Sequence, residues 1–209
     1  MPTSPGPLLT AVDALWEQLR TDVPELPAIR PVVSPLARTH EHGPERWTRD
    51  DDGVVSGLVI TADVLQQGAT ATLETILHDA AHILCWVRGV QDVTMRGAYH
   101  NQTYLAAAEE VGLTWPEGVT RSTQRGFRDV VIKVVTKARL EQHLQSLEDA
   151  IPLVLPHLTL PSSSSATKRT ARLTYLCACD PPRTFRISRT VAAQGAITCG
   201  VCGQEFSAQ

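Results

Sequence analysis

Residues 71–88 read Ala-Thr-Leu-Glu-Thr-Ile-Leu-His-Asp-Ala-Ala-His-Ile-Leu-Cys-Trp-Val-Arg and carry the strongest helical pattern in the chain. Apolar side chains recur at every third or fourth position, as on one face of an α-helix. They are Leu73, Ile76, Leu77, Ala80, Leu84 and Val87. Thr70 or Thr72 is a suitable N-cap, and Gly89 is a suitable end. The pattern predicts a helix that packs its apolar face on the core.

Two histidines, His78 and His82, lie four positions apart in this helix, and a third, His100, follows in the sequence Tyr99-His100-Asn101. Residues i and i+4 share a helix face, so the first two imidazoles can reach one point. Three histidines around zinc leave a fourth position for water, which is typical of a catalytic site. We predict a zinc site formed by His78, His82 and His100. The alternative is a pair of hydrogen-bonded core histidines with His100 on the surface.

Asp79 follows the first histidine and is the candidate general base. Zinc lowers the pKa of its bound water toward about 7, and a nearby carboxylate can then accept the proton. Aspartate reaches less far than glutamate by about one C–C bond, and a displacement of about 1 Å can cost on the order of 10²-fold in rate. Two interpretations therefore stay open: hydrolysis with Asp79 as base, or zinc binding with slow or lost hydrolysis.

Four of the five cysteines lie close to the end of the sequence: Cys177, Cys179, Cys199 and Cys202. They flank a β-rich run, Thr184 to Val191, which is the layout of a zinc ribbon. We predict one structural zinc held by the four thiolates. Cys177 and Cys179 have one spacer residue where two are usual, so the alternative is a pair of turns without metal. We expect the fifth cysteine, Cys85, to be a small core residue.

Composition favours a soluble protein. The chain has 209 residues, of which 43% are hydrophobic, and no long apolar run, so we expect one sizeable core and no membrane span. The start, Met1 to Pro7, lacks the basic and apolar segments of a secretory signal, so we expect an intracellular, cytoplasmic protein. The net charge of −3 divides into +4 for residues 168–209 and −7 for residues 1–167. This asymmetry allows an anionic partner for the basic region.

The first third of the chain contains further predicted elements. Leu8 to Leu19 has helical spacing, and Ala28 to Val33 is a candidate edge strand. The acidic turn Asp50-Asp51-Asp52-Gly53 leads into a stronger strand, Val54 to Ile60, and predicts an antiparallel hairpin around Trp47.

The rest of the chain divides at a serine-rich segment. Residues 90–99 are predicted as a loop, and Asn101 as the N-cap of a helix through Val111. Phe127 to Leu147 is predicted to be mostly helix. Residues 156–170 contain Pro-Ser-Ser-Ser-Ser and little apolar surface, which predicts a flexible linker between domains 1–155 and 171–209.

Residues 58–113, with Thr-Ile-Leu-His-Asp-Ala-Ala-His, then Arg-Gly-Ala-Tyr-His-Asn and Val-Gly-Leu, resemble the SprT-like domain, a compact zincin-type metallopeptidase module. Bacterial, plasmid and phage members of that family carry a C-terminal zinc ribbon. Residues 186–189, Arg-Ile-Ser-Arg, and 199–206, Cys-Gly-Val-Cys-Gly-Gln-Glu-Phe, are similar to that ribbon. The resemblance covers residues 58–209.

The resemblance implies an α+β fold, with helices packed on a short antiparallel sheet, and a C-terminal β-rich ribbon. It implies that His78, His82 and His100 bind zinc and that Asp79 takes the place of the catalytic glutamate. Relatives cleave proteins bound or crosslinked to DNA, so by analogy we expect a protein substrate, with DNA as a candidate partner of the basic ribbon. Two rivals stay open: a nucleic-acid-associated zinc protein with an inactive site, and a zinc hydrolase of small amides.

Overall fold

The computed structural model describes residues 6–35, 46–94, 99–158 and 173–208. The chain divides into two compact units, Met1–Leu160 and Pro161–Gln209. The described residues form seven α-helices and several small sheets, so the architecture is mixed α and β. The predicted linker, 156–170, lies mostly outside the described residues, and its first residues belong to a 3-10 turn, Leu155–His157.

A three-stranded sheet in the first unit contains β1 (Ile29–Ser34), β2 (Thr48–Arg49) and β3 (Val55–Thr61), in the order β1-β3-β2. The predicted hairpin is confirmed, because β2 is antiparallel to β3. The expectation of an antiparallel sheet throughout is wrong, since β1 is parallel to β3. The hairpin partner occupies one edge of β3, so β1 takes the other edge, where Val33 pairs with Ile60.

Six α-helices accompany this sheet in the first unit. They are α1 (Pro7–Asp22), α2 (Ala62–Gln66), α3 (Ala69–Val87), α4 (Gln102–Glu110), α5 (Val134–Arg139) and α6 (Glu141–Val154). The central helix is α3, which contacts α4, α6 and β3. Its apolar face is fully buried at Leu73, Ile76 and Leu77. Within the described ranges, no helix combines the length and apolar character that crossing a bilayer requires.

The ends of α3 are only partly as predicted. The helix stops at Val87, ahead of Gly89, as the sequence indicates. Its N-cap is Gly68, however, and neither Thr70 nor Thr72 fills that role. The Thr72 hydroxyl donates to the carbonyl of Gly68 at 2.9 Å from inside the first turn. Thr72 therefore hydrogen-bonds to the backbone at the start of the helix but is not its N-cap.

The segment predicted as a loop, residues 90–99, contains strand residues of a short antiparallel pair. Strand β4 (Val93–Thr94) pairs antiparallel with β5 (Tyr99–His100), so His100 lies on a strand. The next residue, Asn101, is the predicted N-cap of α4: its side-chain oxygen accepts from the backbone N–H groups of Thr103 and Tyr104 at 2.8 and 3.1 Å. That prediction is confirmed.

The helix predicted over residues 127–147 is confirmed only from Val134 onward. Strand β7 (Val131–Ile132) pairs antiparallel with β6 (Leu113–Thr114). The β-branched side chains of this segment suit an extended backbone, and β6 offers it a partner strand. Tertiary pairing therefore overrides the apolar spacing that favours helix before Val134.

The second unit is a small antiparallel sheet with a cysteine cluster. Strands β8 (Leu173–Leu176), β9 (Thr184–Ile187) and β10 (Ser207–Ala208) lie in the order β10-β8-β9. The predicted β-run to Val191 ends early, because a short helix, α7 (Arg189–Ala192), follows β9. Aromatic rings of Tyr175, Phe185 and Phe206 pack together, with centroid separations of 5.9 and 4.7 Å along the series.

Candidate metal centre

Helix α3 presents two imidazoles to one point. His78 and His82 lie one turn apart, and their Nε2 atoms are 3.1 Å apart. The adjacent Ala80 and Ala81 are completely buried, which lets the helix pack closely against its neighbours. His82 is buried and His78 is half-buried, so the pair lies at the margin of the core. The i, i+4 spacing therefore brings both rings together as predicted.

Strand β5 supplies the third imidazole. The backbone N–H of His100 donates to the carbonyl of Arg125 at 3.0 Å, and its carbonyl accepts from the N–H of Phe127 at 2.9 Å. Gly126, between them, has φ +62°, and a Cβ built there would lie 1.9 Å from the His100 carbonyl oxygen. These contacts place His100 Nε2 at 3.2 Å from His82 Nε2.

The spacing of the three nitrogens matches a tetrahedral cation. Ligand atoms of His78, His82 and His100 all lie within 4.8 Å of one another. Zinc–nitrogen bonds of about 2.0–2.1 Å at tetrahedral angles put ligand nitrogens about 3.3 Å apart. The observed separations of 3.1 and 3.2 Å are close to that value. This group could hold a metal ion.

Two further side chains orient the imidazoles. The Nδ1–H of His82 donates to the carboxylate Oδ2 of Asp92. An ionised carboxylate only accepts, so the lone pair of His82 is on Nε2 and faces the centre. The hydroxyl of Tyr104 lies 2.5 Å from His78 Nδ1. Burial, with the charges of Asp79 and Asp92, raises the pKa of Tyr104 well above its usual value, so the phenol stays protonated.

Asn101 ties these orienting groups to the third ligand. Its backbone N–H donates to the carbonyl of Asp92 at 2.9 Å, and its side-chain NH₂ donates to the carbonyl of Gln91 at 2.8 Å. The same side chain caps α4, the helix that carries Tyr104. Asn101, which directly follows His100, therefore helps to position Asp92 and Tyr104, the partners of His82 and His78.

Asp79, the predicted base, is completely buried beside Arg46. Its Oδ1 and Oδ2 accept from two guanidinium nitrogens at 3.1 and 2.6 Å. The Arg46 Nε–H also donates to the carbonyl of Gly57 at 3.0 Å. A side chain at Gly57 would lie 2.6 Å from the Arg46 carbonyl oxygen, so the strand needs glycine for this approach. Both carboxylate oxygens of Asp79 are thus engaged by the guanidinium.

Sequence reasoning did not identify Arg46, Asp92 or Tyr104. Asp92 is the only carboxylate between His82 and His100, which is a signal that could have found it. Tyr104 is four positions beyond His100, across a strand–helix junction where helical spacing does not apply. Arg46 is 33 positions from Asp79, and nothing in its local sequence indicates the pairing.

The four cysteines of the second unit also converge. Ligand sulfurs of Cys177, Cys179, Cys199 and Cys202 all lie within 4.8 Å of one another, including the pair that the one-residue spacer separates. The Cys179 and Cys199 sulfurs are 3.8 Å apart, close to the sulfur separation of about 3.8 Å that tetrahedral Zn–S bonds of about 2.3 Å produce. This group could likewise hold a metal ion.

Backbone N–H groups contact two of the four cysteines, Cys177 and Cys199. Those of Cys202 and Val201 lower the pKa of the Cys199 thiol to about 6. The backbone N–H of Arg183 donates to the sulfur of Cys177 at 3.3 Å. Cys85 contrasts with them: burial, chiefly, raises the pKa of its thiol to about 12, as suits a core residue.

Comparison of the chain with protein-family models, with curated proteins and with solved structures found no match in any of the three. The resemblance to the SprT-like domain therefore rests on the motif residues alone and stays a hypothesis.

Proposed function

We propose that the chain is a zinc-dependent metallopeptidase whose first unit is zincin-like and whose second unit is a zinc ribbon. The observation that carries this proposal is the convergence of three imidazole Nε2 atoms with Asp92 and Tyr104 on two of the outward-facing nitrogens. Three histidines and an open fourth position are the donor set of a catalytic zinc. His78 is half-buried, whereas His82 and His100 are buried.

Zinc bound to these histidines would polarise a scissile carbonyl and make a water acidic enough to be deprotonated near neutral pH. Asp92 fixes the orientation of the His82 ring, with its Nε2 directed at the centre. Asp79 accepts the proton of the water that attacks the carbonyl carbon, and returns it to the amine nitrogen as the C–N bond breaks. Arg46 holds the Asp79 carboxylate in place and also competes for its lone pairs.

The Arg46–Asp79 pair favours a second candidate, a zinc-binding protein without appreciable turnover. A base that must release a bidentate guanidinium before taking a proton is a weak base. In that case the second unit carries the function. Its arginines 183, 186 and 189 are all exposed, and exposed guanidinium groups bind nucleic acid phosphates. We propose DNA as the partner of this surface in both candidate functions.

Metal content tests the first part of the proposal. The wild type is expected to bind two zinc ions per chain, and His82→Ala one. His143→Ala, which changes a half-buried histidine on α6, is the matched control and keeps two. Equal zinc content in wild type and His82→Ala would contradict the imidazole site.

Cleavage of an unfolded protein, with and without single-stranded DNA, tests the second part. We expect Asp79→Asn to keep its zinc and lose turnover, and Asp79→Glu to raise turnover if reach limits the rate, by up to about 10²-fold. If the wild type binds zinc but shows no turnover, and Asp79→Ala behaves in the same way, the result supports a zinc-binding protein without catalysis. Cleavage of short amides but not of proteins supports the small-amide hydrolase.

Replacing the three exposed arginines by glutamine should abolish DNA binding, and unaltered binding would refute the DNA surface.

A further inference from the structure

A cavity of about 440 Å³ opens beside the metal centre. It lies between Trp47, which precedes β2, and the segment from Trp86 to Val93, which connects α3 to β4. Its size falls within the range of about 300–1,000 Å³ that is usual for small-molecule and substrate pockets. Trp47 is almost fully buried and Val90 is partly exposed, so the cavity has an enclosed wall and an open side.

The cavity borders the metal centre directly. His82 and Asp92, which are hydrogen-bonded to each other, both line it. The Nε2 of the same His82 ring faces the other two imidazoles. One of the three candidate metal ligands therefore also lines the cavity.

The lining is chemically suited to an uncharged apolar group. The lining includes two indole rings and two valine side chains. The Gln91 side-chain NH₂ donates to the carbonyl of Val93 at 3.0 Å, which occupies its donor within the segment itself. Among the described lining residues the carboxylate is that of Asp92, which binds the His82 ring. Both polar side chains, Gln91 and Asp92, thus have a partner within the protein.

An arginine guanidinium lies over each of the two tryptophan rings of the cavity wall. The guanidinium carbon of Arg46 lies 4.2 Å from the ring centroid of Trp47, and that of Arg49 lies 5.5 Å from the ring centroid of Trp86. These arginines already occupy the cation–π positions of the two rings. An uncharged aromatic or branched aliphatic group can pack on the apolar surface of the lining without the desolvation cost that burying a cationic group would add.

We propose that this cavity binds a large uncharged apolar side chain of the substrate, next to the peptide bond that is cleaved, and that Trp47, Trp86, Val90 and Val93 determine this specificity. The inference rests on the proposed peptidase function for the identity of its ligand. It narrows the substrate class to polypeptides with exposed aromatic or branched aliphatic residues, as unfolded or partly unfolded proteins have.

Binding of small amides to the full, zinc-loaded chain tests the cavity without any catalysis. The probes are the amides of N-acetylphenylalanine, N-acetyllysine and N-acetylglycine, and a change in tryptophan fluorescence, to which Trp47 and Trp86 in the cavity wall contribute, reports their binding. We expect the phenylalanine probe to bind roughly 10- to 100-fold more tightly than the glycine probe, as burial of a phenyl ring allows, and the lysine probe to gain nothing over glycine.

Val90→Lys introduces a charged chain into the cavity wall and should remove the preference for phenylalanine. Val119→Lys is the matched control, because Val119 is similarly exposed, at 48% against 42% for Val90, and does not line the cavity. Equal affinity for the phenylalanine and glycine probes, or an unchanged preference in Val90→Lys, would overturn the proposal.

Mapping cleavage sites in an unfolded protein separates this inference from the peptidase proposal. We expect an apolar residue at one constant position beside each cleaved bond in the wild type and in Val119→Lys, and loss of that preference in Val90→Lys. Turnover without such a preference refutes the cavity and leaves the peptidase standing. Selective, Val90-dependent probe binding without turnover refutes the peptidase and leaves an apolar ligand site.

Discussion

Replacing Gly126 by alanine should weaken metal binding at the imidazole site, although none of the three histidines is substituted. Gly126 lies in the turn whose neighbours, Arg125 and Phe127, hydrogen-bond to the backbone of His100. An alanine Cβ there would lie 1.9 Å from the His100 carbonyl oxygen, whereas ordinary contact begins near 3.4 Å. The strand must therefore retreat by about 1.5 Å, while metal–ligand distances tolerate only about 0.2 Å. We expect zinc affinity at this site to fall about 100-fold or more, beyond the 10- to 100-fold that loss of an orienting residue costs.

Gly118→Ala is the matched control. Gly118 has φ +75°, close to the +62° of Gly126, but nothing lies within 4 Å of a Cβ built there. Both variants lose about 1–2 kcal/mol for an L-residue in the left-handed region, so only the displacement of His100 distinguishes them. Cobalt(II) titration of the full chain separates the sites, because thiolate-to-cobalt charge transfer reports only the cysteine cluster. Equal cobalt binding at the imidazole site in the two alanine variants would refute the role of Gly126.

Three further predictions concern the orienting carboxylate, the cysteine cluster and the surface charges. Asp92→Asn should weaken zinc binding at the imidazole site by about 10- to 100-fold in a competition titration, with the exposed Asp129→Asn as a control, and unchanged affinity would contradict the orienting role. A strong chelator should unfold residues 173–208, because their apolar core is small and metal would supply much of its folding free energy; hydrogen exchange that stays slow there after metal removal would contradict this. Arg88 donates to Glu25 and Glu110, and these hydrogen bonds lower the pKa of both carboxyls from 4.5. Their contribution to stability is therefore present above pH 4.5 and lost as the pH falls through the lowered values, so the Tm difference between wild type and Arg88→Met should shrink between pH 7 and pH 3.

Local spacing was sufficient to predict the helix that carries two of the three imidazoles, but not the strand that carries His100. Helix α3, the one-turn separation of His78 and His82, and the capping role of Asn101 each depend on interactions within a few residues. The hairpin before β3 also follows from its acidic turn. The strand at Val131–Ile132 was missed because its partner, Leu113–Thr114, lies outside any local window.

Long-range packing decided the surroundings of the candidate site. The sequence indicates which residue types can bind metal, since histidine and cysteine chemistry belongs to the side chains themselves. Only the folded chain shows that Arg46 engages Asp79, that Asp92 orients His82, and that a cavity lined by two tryptophans adjoins the site. Such contacts join segments that are distant in sequence, and their free energy depends on burial and geometry that exist only after the helices and the sheet have packed together.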